Sequence, residues 1–293
     1  MSWEISIIEK CIRFLSKVKS NVEGAIHQLR FMKYELLFGE RDDDIYVVTF
    51  LKAGTTWMQM ILYQLTTDGA MNFKHIYDVS PWLRNLADRN GTIPDLLSPR
   101  IVKTHDPYNK VDKNKKGKYI FVVRDGLDVA NSLYHHRKNY NSTKITFQES
   151  FEMSFRDEDD SNWFKFHEQW LRNKNKLPIL YVRYEDLQQN FVQELFRIAK
   201  FLGIELKPEH INRIQEHCSF DFMKQHESKF GEQPNVEKHE IVYNQFIRTG
   251  KMGEGEKVIS EADKEYFYKR FNFHLGQFPI MEIYKRNQSP TDK

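Results

Sequence analysis

The sequence predicts an α/β protein, a three-layer sandwich with a central parallel sheet. Two observations carry that prediction. Four short runs, Ile45–Phe50, Ile101–Thr104, Tyr119–Val123 and Ile179–Val182, are continuously apolar rather than alternating, as strands buried on both faces are. Helical patterns at 55–67, 126–138 and 185–202 alternate with them, and strand–helix alternation is the pattern of a sheet covered by helices. At 293 residues the chain is long enough to bury a substantial core.

Taken in order, residues 4–38 place Ile5, Ile8, Ile12, Leu15, Ile26, Leu29 and Met32 at helical spacing, so one or two amphipathic helices precede the core. Asp42, Asp43 and Asp44 end that segment. The first strand follows, then a turn rich in small and hydroxyl residues, then the helix at 55–67. Three stretches read as long loops: the lysine-rich Asn109–Lys118, the polar Asn139–Asn162, and Met223–Lys257. Loops of that length in a compact domain are commonly binding loops or lids. The chain is read as one domain over 1–293, with a helical segment at 1–40, a core at 41–285 and a tail at 286–293.

Bulk properties exclude several classes. A net charge of +3 does not by itself indicate nucleic-acid binding, and none is expected. No apolar run approaches the ~20 residues that span a bilayer, and Met1-Ser2-Trp3-Glu4 does not open a secretory signal, so no membrane association and a cytoplasmic location are expected. Cys11 and Cys218 are far apart and suggest neither a disulfide framework nor a zinc site.

The chemistry concentrates in Lys52-Ala53-Gly54-Thr55-Thr56-Trp57, between the first strand and its helix. A helix N-terminus offers unpaired N–H groups and the positive end of a dipole. Gly54 lets a ligand approach the backbone, Thr55 or Thr56 can cap the helix, and Lys52 adds a charge. The ligand implied is a phosphate or a phosphate-like group. An ATP-binding P-loop places its Lys after the last Gly; here Lys52 precedes Gly54, which argues against that chemistry. A plain strand-to-helix turn with a good cap is the competing reading.

Four further segments fall where α/β folds bind ligands, at strand carboxyl ends. In Ile101–His105, alternation puts Lys103 and His105 on one face, and a His with an ordinary pKa near ~6.5 is a candidate general base; the alternative is a His satisfied by a loop carbonyl. Val123–Ser132 begins with Arg124, whose fork suits phosphate, with Asp125 and Asp128 favourable at a helix start; the alternative is a surface Arg–Asp pair. Tyr181–Leu187 carries Tyr184, able to stack on a base. Phe246–Gly253 sets Arg248 among glycines, a loop suited to a second phosphate.

In order and spacing these five segments resemble the cytosolic sulfotransferases, over about residues 30–285. That family shows Lys-Ser-Gly-Thr-Thr-Trp, then Lys-Thr-His, an Arg-Asn/Asp-x-x-Asp-x-x-x-Ser helix start, Tyr-Glu-Asp, and Arg-Lys-Gly-x-x-Gly. The resemblance implies a P-loop-like sulfotransferase fold. It also implies transfer of a sulfuryl group from 3′-phosphoadenosine 5′-phosphosulfate (PAPS) to a hydroxyl or amine. Carried over by motif, Lys52, Ala53, Gly54, Thr55, Thr56 and Trp57 form the 5′-phosphosulfate loop. Trp57, Tyr184 and Phe220 hold the adenine, with Cys218 in the place of a Thr that contacts it. Arg124, Ser132, Arg248, Thr249 and Gly250 surround the 3′-phosphate. His105 is the base, and Lys103 and Lys52 stabilise charge on the transferring group and the leaving phosphate. No metal is implied, and no carboxylate cluster in the sequence is arranged to hold one.

The sequence departs from the family at several positions. Ala53 replaces a Ser to which the resemblance assigns restraint of donor hydrolysis. Thr249 replaces a Lys, and a lost charge-assisted bond is worth roughly 1.5–3 kcal/mol. Gly255 replaces a Trp. A homodimer is possible, although the family's C-terminal dimerisation motif is not clear near Lys257–Glu265. The acceptor is expected to be a small phenol, alcohol, steroid or amine, with Trp82, Tyr108, Tyr134, Tyr140 and Phe151 as candidate wall residues. Two alternatives stand beside the active enzyme: a relative that binds adenosine 3′,5′-bisphosphate (PAP) but transfers weakly or not at all, and a P-loop kinase.

Overall fold

A computed structural model describes residues 2–111, 114–140, 144–157, 161–231 and 246–285. Four strands, β1 (Ile45–Thr49), β2 (Ile101–Thr104), β3 (Lys118–Val123) and β4 (Ile179–Arg183), form one parallel sheet in the order β2-β1-β3-β4. The helices are α1 (Ser2–Phe38), α2 (Thr55–Thr66), α3 (Leu83–Asp88), α4 (Gly126–Tyr140), α5 (Phe147–Phe151), α6 (Trp163–Arg172), α7 (Tyr184–Gln189), α8 (Phe191–Leu202), α9 (Pro208–His217), α10 (Phe220–Gln225), α11 (Glu254–Val258) and α12 (Glu261–His274).

The sheet separates two apolar clusters because successive strand residues point to opposite faces. Tyr119, Phe121 and Val123 of β3 pack with Leu127 and Leu133 of α4, Trp163, Phe166 and Trp170 of α6, and Phe267 and Phe271 of α12. Ile120 and Val122 pack on the other side with Met58, Ile61 and Leu62 of α2 and with Leu195 and Ile198 of α8. Both faces are therefore covered, which is why the strands read as unbroken apolar runs. The first cluster is dominated by aromatic pairs, such as Phe151 stacked on Phe155 at 4.9 Å and Trp163 against Phe267 at 5.3 Å; offset and edge contacts of this kind add ~0.5–1.5 kcal/mol beyond area burial.

All four expected strands form, within one residue at each end. The segment at 185–202 is two helices rather than one: Asn190, at φ −136° and ψ 49°, turns the chain between α7 and α8. The expected loop 139–162 contains α5 and a π-helical turn, Glu152–Arg156. Thr146 starts α5 with a capping box; its hydroxyl accepts from Glu149 N at 3.2 Å, and Glu149 accepts from Thr146 N at 2.7 Å. The stretch Met223–Lys257 holds the end of α10 and the start of α11; residues 232–245, Asn141–Thr143 and the expected tail 286–293 lie outside the described residues.

The N-terminal segment is a single helix. Its C-terminal end is fixed by Arg100, whose guanidinium binds both carboxylate oxygens of buried Asp44 at 2.7 Å and donates to the carbonyls of Phe38 and Gly39. Asp44 is thus a buried clamp rather than a spacer. No helix among the described residues is long and apolar enough to cross a membrane, and Cys11 and Cys218 are unpaired with each other.

Candidate active site

The carboxyl ends of β1, β2, β3 and β4 open into a cavity of about 230 Å³, beside the strand where the sheet order reverses direction. Every residue assigned from the sequence to catalysis or donor binding lines it except Ala53. The turn after β1 is tightly wound. Lys52 has φ 62° and Gly54 has φ 97°, conformations that a β-carbon disfavours. A Cβ at Gly54 would also lie 2.7 Å from the Tyr184 ring. No side chain caps the first turn of α2, so its amides face the cavity mouth as an anion site. Ala53 is fully buried in the aromatic cluster, on the far side of the turn from the cavity.

His105 follows β2 and is half-buried. Its Nδ1 lies 2.8 Å from the Thr49 carbonyl oxygen and 3.1 Å from Thr49 Oγ1. A carbonyl only accepts, so Nδ1 carries the proton and Nε2 keeps its lone pair. Burial, with Lys103, Lys52 and His136 nearby, holds the imidazole well below its ordinary pKa and therefore neutral; the Thr49 carbonyl opposes this. The competing expectation for His105, satisfaction by a loop carbonyl, is met as well: the same bond that satisfies one nitrogen frees the other. Thr49 Oγ1 continues the network to Thr55 Oγ1 at 2.6 Å. Lys103, on the same side of β2 as His105, donates to Tyr77 Oη at 2.8 Å and lies 4.6 Å from the Trp82 ring centre. Lys52 Nζ stands 4.3 Å over the Phe246 ring.

The other end of the cavity is built from β3, β4 and the 246–255 segment. Arg124 is buried and is not part of an Arg–Asp surface pair. It donates to the carbonyls of Lys52 at 3.1 Å and Lys251 at 3.4 Å, and its guanidinium lies 4.4 Å over the Tyr184 ring. Its buried Nε has no hydrogen-bond partner among the described residues. Asp125 caps α4, accepting from the amides of Leu127 at 2.9 Å and Asp128 at 3.0 Å. Burial, with Asp128 and Glu185 close by, pushes its carboxyl up to about 7. Asp128 accepts from the amides of Gly253 and Gly255, both at 2.8 Å, and so docks α11 on α4. Arg248 pairs with Glu254 at 2.5 Å, and Thr249 Oγ1 donates to the same carboxylate at 3.0 Å.

Trp57 donates from Nε1 to the Cys218 carbonyl at 2.8 Å and lies edge-on to Tyr184 at 5.3 Å. Tyr184 Oη donates to the Gly250 carbonyl at 3.3 Å. Phe220, 42% exposed, stands at the rim against Gly250. Ser132 faces the cavity one turn before His136, which the sequence reading passed over although its i+4 spacing from Ser132 puts both on one face. Gln188, four residues after Tyr184, was missed in the same way, as was Tyr77, which lies in no motif; Phe246 and Ile247 open the last segment but were given no role of their own.

Of the candidate wall residues, only Trp82 lines the cavity, edge-on to His105 at 5.1 Å. Tyr108 packs on Trp170, Phe151 lies in the core, and Tyr134 packs on Phe147. Tyr140 has no described side chain. Among the described residues no group of three or more His, Cys, Asp and Glu side chains is placed to hold a metal.

In sequence and in fold the chain is similar to known proteins. The chain is 30% identical over 269 residues to human sulfotransferase 2B1, covering 85% of this chain and 72% of that protein. It is 29% identical over 286 residues to amine sulfotransferase of Oryctolagus cuniculus, covering 91% and 92%. The fold is shared with retinol dehydratase solved with androsterone and inactive cofactor PAP, at TM-score 0.68 and 21% identity over 82% of each chain. It is also shared with a mouse sulfotransferase complexed with PAP, at TM-score 0.62 and 23% identity over 84% of this chain and 89% of that one. The sulfotransferase domain matches residues 42–279, the span from the buried Asp44 clamp to the end of the aromatic cluster, and the chain belongs to the sulfotransferase family.

Proposed function

We propose that this protein transfers a sulfuryl group from PAPS to a hydroxyl or amine of a small, largely apolar acceptor, with His105 as general base. The observation that carries the proposal is the fixed tautomer of His105. Nδ1–H is committed to the Thr49 carbonyl, and the neutral ring keeps an Nε2 lone pair in a cavity that also holds Lys52 and Lys103.

The residues present fit the donor. The uncapped first turn of α2, the bare Gly54 backbone packed on the Tyr184 ring, and the orphaned Arg124 Nε suit a doubly anionic nucleotide. Bound, PAPS supplies an activated sulfuryl group with PAP as leaving group. The α2 amides, Thr55 and Thr56 bind its 5′ end, and Arg124, Ser132 and Arg248 take the 3′-phosphate. Trp57 and Phe220 flank the base, beside Cys218. Lys103, oriented by Tyr77, and Lys52 stabilise charge that develops at the reacting centre. His105 Nε2 accepts the acceptor's proton, a contribution of roughly 10²–10⁴-fold. Trp82, Tyr77, Phe246 and Ile247 supply the apolar wall for the acceptor.

One observation favours the weaker relative: Glu254 already occupies Arg248 and Thr249. Two measurements separate the readings. In thermal shift, PAP at ~100 times its Kd adds about 2.7 kcal/mol of stability, whereas ATP with Mg²⁺ adds little. Donor labelled in its sulfuryl group is then assayed against phenols, steroids and amines; a relative named amine sulfotransferase and a fold neighbour solved with androsterone motivate the panel. Stabilisation by PAP without labelled product makes the chain the inactive relative. Stabilisation by ATP with Mg²⁺ alone overturns both readings.

A further inference from the structure

Two stripes run along α1. One packs on the body: Phe31 and Tyr34 are buried against Leu83 and Ala87 of α3 and Val102 of β2, and His27 meets Asp88 at 2.8 Å. The other is uncovered. Ile8, Ile12, Leu15, Val22, Ile26 and Leu29 are each 45–64% exposed, and Leu36 continues the row. Leu29 and Leu36 lie about 200° and 140° around the helix from Phe31 at ~100° per residue, so the exposed row faces away from the body.

The spacings along that row are four, three, seven, four, three and seven. It is a heptad pattern with Ile12 and Ile26 at a, Ile8, Leu15, Val22, Leu29 and Leu36 at d, and Lys19 and Lys33 filling the two remaining a positions. A 3.5-residue repeat with β-branched a and Leu-rich d positions is the seam of a coiled coil, and a buried Lys at a selects register and partner. At 37 residues the helix spans ~55 Å.

We propose that α1 pairs antiparallel with α1 of a second copy of this chain, forming a two-stranded coiled-coil homodimer. Charge placement decides the direction. In a parallel pair Lys19 faces Lys19 and Lys33 faces Lys33 across the seam. Centred between Lys19 and Val22, an antiparallel pair sets Lys19 beside Val22 and Lys33 beside Ile8 of the second copy. It also brings Glu9 to Arg30 across the e positions, and flanks the seam with Val18, Ala25, Cys11 and Met32 at g. The two bodies then sit at opposite ends, each held by its own Phe31–Phe38 segment.

Sedimentation equilibrium of the full chain at micromolar concentration tests this. The wild type sediments as a dimer. Ile12→Glu with Leu29→Glu, residues that meet across the antiparallel seam, raises the dissociation constant ~100-fold or more and leaves the PAP thermal shift unchanged. Should that variant fail to fold, Lys19→Ile with Lys33→Ile gives the opposite readout, a dimer tighter by ~10-fold or more. In a Cys11→Ser background, Ile8→Cys chains oxidise onto Lys33→Cys chains and not onto one another. A monomeric wild type, a dimer indifferent to the Glu pair, self-linked Ile8→Cys chains, or a monomer that binds phosphatidylserine vesicles through α1 overturns the proposal.

Discussion

Replacing Gly255 by Ala tests whether the last binding segment is held by backbone contact. A Cβ at this position would lie 2.1 Å from the carbonyl carbon of Leu127, 2.2 Å from its oxygen and 2.5 Å from Asp128 N. These are main-chain atoms at the start of α4, so no rotamer change relieves the overlap. If α11 stays docked, overpacking costs about 1–3 kcal/mol. If it lifts, the two amide bonds to Asp128 are lost, about 1.5–3 kcal/mol each for bonds to a charged group. The cheaper route governs stability, which is expected to fall by about 1–3 kcal/mol and the melting temperature by a few degrees. Even with α11 docked, easing an overlap with main-chain atoms shifts the segment that carries Arg248, Thr249 and Gly250 in the cavity wall, so PAP affinity is expected to fall ~10-fold or more, about 1.4 kcal/mol. Titration calorimetry with PAP and a melting curve read both effects. A Gly255→Ala protein that melts and binds as the wild type does would falsify the account of α11 as a backbone-docked clamp. Gly255→Trp, the side chain the family resemblance leads one to expect, should be more damaging still.

Three further outcomes follow from the geometry. His105→Ala should abolish transfer while PAP binding by calorimetry stays within about twofold, and wild-type kcat/KM should hold its value as pH falls below the ~6.5 of a free imidazole; equal loss of transfer and binding would make His105 structural. Gly54→Ala, strained at φ 97° and blocked by Tyr184 at 2.7 Å, should weaken PAP binding ~10-fold or more by the same calorimetry, and unchanged affinity would refute the close-approach argument. Burial lowers the His167 pKa from 6.5 to about 4. The unfolded chain then binds more protons between those values, so stability is full above pH 6.5 and falls by about 3 kcal/mol as pH drops towards 4. His167→Gln should flatten that stretch of the urea-stability profile, and an unaltered profile would assign the acid sensitivity elsewhere.

The sheet was legible because both its faces are covered, which leaves each strand as an apolar run with no polar alternation to confuse it. Lys52, Lys103, His105, Arg124 and Tyr184 were legible for a related reason: each sits at or just beyond the carboxyl end of a strand, where the chain leaves the sheet. What was not legible depends on contacts distant in sequence. Asn190 breaks one helical pattern into two without a Pro or Gly to announce it. The capping box at Thr146 and Glu149 is a local signal and could have been read. The burial of Asp44 and the docking role of Asp128 require Arg100 and Gly253 to be placed first. Gly255 reads as a departure in one dimension, whereas the contact with Leu127 shows that this backbone leaves no room for a side chain there.

The hydrogen bonds of the site run from one motif to the backbone of another: Arg124 to Lys52 and Lys251, Trp57 to Cys218, Tyr184 to Gly250. Such a lattice makes the positions interdependent, so substitutions within it will combine non-additively. Thr249, Glu254 and Gly255 in particular form a unit, joined through one carboxylate and one helix start. Restoring relatives' residues one at a time would therefore misreport what each contributes. The informative experiment is exchange of the whole 248–255 segment, because each of its parts is held in place by the others.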